Sequence, residues 1–190
     1  MGEEGSLKPL YAKVGNIVLI GMPGSGKSTV GVLLAKALQR DFLDTDVTLQ
    51  AKEGRGLQEI IDQQGLDFFR RVEERHILSL DCRACVIATG GSVVYYPAAM
   101  AHLASSGVVV HLDLDLPSLT KRLTNLHSRG VVRIACQTLN DLYEQRKPLY
   151  RKYAQVTVPC AGRTHEEIVD AIITELGSLR KPDPRAAKSR

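Results

Sequence analysis

Residues 21–29 read GMPGSGKST, a glycine-rich segment that lies between the apolar runs NIVLI and VGVLLAKAL. The segment fits the phosphate-loop pattern G-x-x-x-x-G-K-[ST] at every specified position. The apolar run before it predicts a buried strand over residues 14–20, and the apolar spacing after it predicts a helix over residues 27–39. A phosphate loop requires a strand, a loop and a helix in this order, so the segment predicts an α/β protein that binds a polyphosphate.

The loop offers groups for both the phosphates and a metal ion. Gly21, Gly24 and Gly26 can adopt positive φ, which turns backbone N–H groups inward at the positive end of the helix. Lys27 would then bridge the β- and γ-phosphates, and the Ser28 hydroxyl would bind Mg²⁺. A nucleoside triphosphate with Mg²⁺ is therefore expected. The predicted nucleotide-binding residues are Gly24, Ser25, Gly26, Lys27, Ser28 and Thr29.

Further apolar segments read as strands that alternate with helices: DFLDTD, CVIATGG, GVVVHLDLD and QVTVPC. A helical pattern over residues 47–81 follows the first segment, and Pro97 and Pro117 begin the next helices. Thr164 and Glu167 form a capping box before the last helix. Five apolar strands alternating with helices predict a parallel sheet with helices on both faces and ligand loops at the carboxyl ends of the strands.

The formal net charge of +4 comes from the C-terminal end, because residues 178–190 contain five basic residues and one acidic residue. The rest of the chain is formally neutral, which speaks against a basic face for nucleic acid. We expect one domain over residues 1–177 and a basic, disordered tail over residues 178–190.

The sequence shows neither an apolar run of membrane-spanning length nor a secretory signal, so we expect a cytoplasmic protein without a membrane partner, and a monomer. Cys82 and Cys85 form a lone CxxC that Cys136 and Cys160 do not extend to a zinc pattern. Reduced thiols are therefore favoured. The histidines also lack metal-binding spacing.

The sequence DTD, residues 44–46, follows a short apolar run and offers two carboxylates. At the carboxyl end of a strand, one carboxylate can lie near Mg²⁺ while the other accepts a hydrogen bond from a substrate hydroxyl. A surface turn rich in aspartate is the alternative interpretation of this pattern.

The motifs GMPGSGKST, LDTDV, FFRRVEE, ATGGSVV and QRKPLY occur in the order and spacing of the shikimate kinases, and the resemblance covers residues 16–175. It implies a three-layer P-loop kinase fold of the nucleoside-monophosphate-kinase type, with a central five-stranded parallel sheet and a mobile lid. It also implies transfer of the γ-phosphoryl group of ATP to the 3-hydroxyl of shikimate, a step toward aromatic amino acids.

The resemblance implies roles for individual residues by motif match. Lys27, Asp46 and Arg133 correspond to catalytic residues, and Ser28 and Asp44 to residues near Mg²⁺. The residues that correspond to the acceptor site are Asp46, Arg70, Gly90, Gly91 and Arg146. The partners implied are ATP or ADP and a small alcohol that bears a carboxylate.

Helix spacing agrees with an anion-binding role for Arg70. Glu73 and Glu74 follow it by three and four residues, so one of them could hold the guanidinium and leave a fork for an external carboxylate. A surface ion pair is the plainer reading of the same spacing. Arg146 could likewise lie at a solvated helix end.

The chain departs from the family in two places. Ser92 stands where the family has a third consecutive glycine, which adds a side chain near the substrate. The predicted lid, residues 125–138, has weak periodicity and a length typical of functional loops, and it lacks the family's Arg-Pro-Leu-Leu. Either Arg133 or Arg129 could be its transition-state arginine. These departures leave another small anionic hydroxy compound, or a non-catalytic nucleotide switch, as alternative functions.

Overall fold

A computed structural model of the chain describes residues 14–124 and 138–179. Its five parallel strands are β1 (Asn16–Ile20), β2 (Asp41–Asp44), β3 (Cys85–Ala88), β4 (Gly107–Asp113) and β5 (Val156–Pro159), which form one sheet in the order β2-β3-β1-β4-β5. The predicted five-stranded parallel sheet is therefore confirmed.

The helices in the described residues are α1 (Lys27–Leu38), α2 (Thr45–Glu53), α3 (Leu57–Gln64), α4 (Leu66–Leu78), α5 (Pro97–Ser106), α6 (Leu116–Thr124), α7 (Leu139–Tyr153) and α8 (His165–Ser178). Every residue of the central strand β1 is buried, so both faces of the sheet are covered, as its continuous apolar run predicts. Helices α1 and α8 contact each other, and helices α4 and α5 form a second contacting pair.

The strand order brings the loops of interest to one edge of the sheet. Strand β1 lies between β3 and β4, with Ile17 level with Val86 and with Val108. In a parallel sheet the carboxyl ends of the strands share an edge, so the phosphate loop after β1 meets the glycine pair after β3 and the acidic end of β2. The core beneath this edge is mostly aliphatic and includes a few buried tyrosines and cysteines.

The second strand is shorter than DFLDTD suggested, because it ends at Asp44 and α2 begins at Thr45. Asp44 is the N-cap of α2, and its Oδ1 accepts hydrogen bonds from the backbone N–H groups of Asp46 and Val47 at 3.0 and 3.2 Å. The prediction that Asp46 lies on the strand is wrong for this reason. Asp46 lies in the first turn of a helix.

The remaining boundaries follow the local signals in the sequence. The helical stretch 47–81 divides into separate helices at Gly54, Gly56 and Gly65. Pro97 is at the start of α5, and the capping box of Thr164 and Glu167 begins α8. The last helix reaches Ser178, one residue into the predicted tail.

Some predictions concern residues that the structure does not describe. Arg129, Arg133 and the rest of residues 125–137 lie outside the described part of the chain, as do residues 180–190 of the predicted tail. Within the described ranges, no helix combines the length and apolarity needed to cross a membrane.

Candidate active site

The phosphate loop has the backbone that its glycines predict. Gly24 and Gly26 have φ values of 79° and 97°, in the region that favours glycine. The side chain of Lys27 is buried, and its Nζ donates hydrogen bonds to the carbonyl oxygens of Gly21 and Met22, each at 2.9 Å. Burial lowers the pKa of Lys27 to about 8, and the neighbouring carboxylate of Asp46 opposes that shift. The Lys27 ammonium is thus held inside the loop.

Two oxygen-bearing side chains meet beside the loop. The hydroxyl of Ser28, in the first turn of α1, donates a hydrogen bond of 2.6 Å to Oδ2 of Asp44. A hydroxyl and a carboxylate are hard oxygen donors of the type that Mg²⁺ prefers, and this ion takes few ligands from protein when phosphate and water complete its shell. Ser28 and Asp44 therefore fit the predicted metal site. The described residues contain no cluster of three or more acidic, histidine or cysteine ligands.

The backbone of Gly90 lies directly against two carboxylates. A Cβ atom built on Gly90 would lie 2.6 Å from Oε1 of Glu73 and 2.7 Å from Oδ1 of Asp46. Only glycine allows this approach, because real Cβ atoms essentially never come closer than 3.0 Å. Burial raises the pKa of Asp46, and the positive charge of Lys27 opposes that shift. The structure thus places Asp46 between the phosphate loop and the glycine pair.

Glu73 is a buried acid whose hydrogen-bond partners are hydroxyl groups. Its carboxylate accepts a hydrogen bond of 2.7 Å from the Tyr96 hydroxyl, and the Ser92 hydroxyl lies 2.7 Å from both of its oxygens. Burial raises the pKa of Glu73 to about 7 despite these two hydrogen bonds. The Ser92 side chain, expected near the substrate, is therefore directed at Glu73. The hydroxyl-rich sequence SVVYY after β3 is the only signal in the sequence for this arrangement.

The expected partner of Arg70 is also wrong. Its Nη1 lies 3.3 Å from Oδ1 of Asp67, one turn before it on α4, and both side chains are exposed. Glu73, one of the two expected partners, cannot hold Arg70, because its face of α4 turns into the core with Val72 and His76. The guanidinium of Arg70 is accordingly held by an exposed ion pair, which is the plainer of the two readings.

Arg146 is buried, with 6% of its surface exposed, and does not lie at a solvated helix end. Its Nε donates to the hydroxyl of Tyr95 at 3.2 Å, and its guanidinium carbon lies 5.1 Å from the centre of the Tyr95 ring. A Cβ on Gly91 would lie 3.1 Å from Nη1 of Arg146. The hydroxyl of Tyr150 donates to the carbonyl oxygen of Gly91 at 2.7 Å, so the glycine pair contacts α7 as well as α4.

Two further residues, which the sequence did not single out, approach the phosphate loop. Nη1 of Arg122, near the end of α6, lies 3.4 and 3.5 Å from the carbonyl oxygens of Gly24 and Ser25. His165 begins α8, and its Nε2 would lie 3.5 Å from a Cβ on Gly26. The segment PCAGRTHEE, which leads from β5 into α8, therefore reaches the loop through His165. Arg122 carried no motif that could have identified it.

The arrangement suits transfer of a charged group to a hydroxyl. A phosphate loop with its lysine, a hydroxyl and carboxylate pair of the kind that binds a metal, and the half-buried carboxylate of Asp46 share one edge of the sheet. Arg146 is buried against the glycine pair, and Arg70 is exposed on α4.

The comparisons with known proteins agree with this geometry. The family model described as "Shikimate kinase" matches residues 23–177. The shikimate kinase of Thiobacillus denitrificans is 38% identical over 172 residues, covering 89% of this chain and 94% of that protein. Among solved structures, the chain is similar to a shikimate kinase from Acinetobacter baumannii in complex with shikimate, with a TM-score of 0.83 and 29% identity over 92% of this chain and 99% of the other. The Aquifex aeolicus shikimate kinase gives a TM-score of 0.74 and 31% identity over 86% of this chain and 97% of the other.

Proposed function

The chain belongs to the shikimate kinase family, and from this premise we propose that it transfers the γ-phosphoryl group of ATP to the 3-hydroxyl of shikimate. One observation carries the proposal. The buried ammonium of Lys27 and the half-buried carboxylate of Asp46, which lies against Gly90, are close enough for each to affect the pKa of the other. A donor phosphate on Lys27 and an acceptor hydroxyl on Asp46 would therefore be neighbours.

The nucleotide side supplies charge stabilisation. Lys27 and the N–H groups of residues 24–29 would bind the phosphates, and Ser28 with Asp44 would hold Mg²⁺. When bound there, the ion would neutralise charge on the phosphate oxygens. Because these groups are fixed before reaction, they need little rearrangement as negative charge develops.

The acceptor side supplies orientation and a proton acceptor. Asp46 would accept a hydrogen bond from the 3-hydroxyl and take its proton as the new O–P bond forms and the bond to the ADP oxygen breaks. Arg70 and Arg146 would bind the shikimate carboxylate, and the backbone at Gly90 and Gly91 would lie against the ring.

An assay of ADP release tests the proposal. Shikimate should stimulate ADP release well above ATP alone, and Asp46→Asn should bind ATP normally but lose turnover by about 100-fold or more, the scale of a lost acid–base group. Asp170→Asn, an exposed carboxylate on α8, is the matched control and should behave as the wild type.

Three results would redirect the proposal. Stimulation by another small hydroxy acid in place of shikimate would reassign the acceptor. Full turnover in Asp46→Asn would remove Asp46 from the mechanism, and no turnover with any acceptor would favour a nucleotide-binding switch. The proposal also includes Mg²⁺ dependence, action as a monomer and a cytoplasmic location.

A further inference from the structure

Arg146 is a buried cation without an ion pair to any carboxylate among residues 14–124 and 138–179. Removing a charge from water is costly unless hydrogen bonds or an opposite charge compensate. Among the described residues, the hydrogen bond that Arg146 donates goes to the Tyr95 hydroxyl, while the carboxyl of Glu73 acts on Arg146 only through its charge. The residue that holds Arg146 therefore determines where its positive charge points.

The hydroxyl of Tyr95 has only one arrangement that satisfies both of its partners. Its single proton goes to Oε1 of Gln145, at 2.7 Å, because that oxygen can only accept. The Tyr95 oxygen is then left with lone pairs, and Nε of Arg146 donates to it at 3.2 Å. Gln145 thereby fixes the direction of the Tyr95 hydroxyl, and the hydroxyl fixes Arg146.

The Tyr95 ring and the glycine pair hold the guanidinium in two further directions. The ring centre lies 5.1 Å from Cζ of Arg146, a distance at which a cation is attracted to the aromatic face. Nη1 lies against the backbone of Gly91, where a Cβ would approach it to 3.1 Å. Because Arg146 contacts the Tyr95 hydroxyl through Nε, the edge of the guanidinium formed by Nη1 and Nη2 remains for an acceptor. A carboxylate can bind this edge in bidentate fashion.

We propose that Tyr95 is a positioning residue that aims Arg146 at the acceptor and so sets the preference for acceptors that bear a carboxylate. The inference rests on the proposed function, since it requires Arg146 to bind the shikimate carboxylate. Tyr95 itself does not touch the reacting atoms in this proposal. It acts on acceptor binding through Arg146.

Tyr95→Phe tests the inference, because it removes the hydroxyl and keeps the ring. The KM for shikimate should rise about ten-fold, as expected when a charged group loses a hydrogen bond. The kcat and the KM for ATP should stay within about two-fold of the wild type. Tyr153→Phe is the matched control, since the Tyr153 ring also faces a cation, Lys152, at 5.1 Å, and this variant should leave the KM for shikimate unchanged.

A carboxamide analogue of shikimate separates positioning from a merely structural role. The ratio of kcat/KM for shikimate to that for the carboxamide should fall in Tyr95→Phe, because only the carboxylate uses the aimed guanidinium. An equal loss with both acceptors would overturn the inference, as would an unchanged KM for shikimate. Gln145→Ala provides a second variant and should shift the ratio in the same direction by a smaller factor.

Arg146→Lys distinguishes failure of this inference from failure of the proposed function. If this variant leaves the KM for shikimate unchanged, Arg146 does not bind the acceptor and the premise fails. If Arg146→Lys raises that KM while Tyr95→Phe does not, the premise stands and the role of Tyr95 is refuted.

Discussion

A methyl group at Gly90 would collide with two carboxylates, both at the proposed acceptor site. Its carbon would lie 2.6 Å from the Glu73 oxygen and 2.7 Å from the Asp46 oxygen, whereas ordinary contact begins at 3.4 Å. Gly90→Ala therefore requires the two oxygens to retreat by about 0.8 and 0.7 Å, or the backbone to move by a similar amount. Among the glycines of residues 14–124 and 138–179, Gly90 is the one whose added Cβ would meet both carboxylates.

The chain resists this movement on the side of Glu73. Its carboxylate is fixed by the hydroxyls of Ser92 and Tyr96, so the displacement falls on Asp46 or on the backbone beside the acceptor. A misplacement of about 1 Å can cost about 100-fold in rate. We therefore expect kcat/KM for shikimate to fall by about 100-fold in Gly90→Ala, while affinity for ATP is retained.

The assay is ADP release over a range of shikimate concentrations, together with ATP binding measured separately. Gly56→Ala is the control, because a Cβ there meets only Gln50, at 4.0 Å, and its φ of −69° suits alanine. If Gly90→Ala keeps kcat/KM for shikimate within about two-fold of the wild type, the proposed place of the acceptor between Asp46 and Gly90 is refuted.

Three further predictions concern the metal, the buried acid and the exposed arginine. Ser28→Ala removes the hydroxyl that lies 2.6 Å from Asp44, and it should raise the Mg²⁺ concentration for half-maximal activity by at least about 10-fold; a magnesium titration that matches the wild type would contradict the metal site. Burial raises the pKa of Glu73 from 4.5 to about 7, so the folded state binds the extra proton and the free energy of unfolding should fall as pH rises through that window. Glu73→Gln should remove this fall, which is on the order of 3 kcal/mol. Denaturant unfolding at several pH values measures it, and the reasoning is wrong if the free energy of unfolding depends on pH equally in both proteins. Arg70→Lys should raise the KM for shikimate several-fold without changing the KM for ATP, because lysine lacks a bidentate fork. Arg71→Lys, at the exposed neighbouring residue, is the control. An equal KM for shikimate in the two variants would count against the role of Arg70.

The fold could be predicted from the sequence because its signals are local. The phosphate loop, the apolar runs and the helix-starting prolines each need only a few neighbouring residues to be recognised. The error at Asp46 arose where two local signals overlapped. The strand pattern continued through DTD. The sequence did not show that the Asp44 side chain caps a helix and so ends the strand.

The partners of Glu73 and Arg146 could not be predicted, since they depend on contacts between distant segments. Glu73 is bound by residues 19 and 23 positions away, in the segment that follows β3. Arg146 meets Tyr95 across 51 positions. Helix spacing pointed to neighbours on the same helix, and for Arg70 it favoured Glu73 or Glu74 over Asp67, its partner in the structure.

The two carboxylate oxygens of Asp44 contact different helices, so this side chain connects α1 to α2. One oxygen caps α2, the helix that carries Asp46, and the other holds the hydroxyl of Ser28 at the start of α1. Any rotation of Asp44 toward an arriving ion would loosen a cap that is typically worth about 1 kcal/mol and would shift the turn that holds Asp46. Binding of the ion with its nucleotide would then change the affinity for the acceptor, because both depend on the Asp44 carboxylate. Because such coupling is reciprocal, each substrate would change the binding affinity of the other by the same factor.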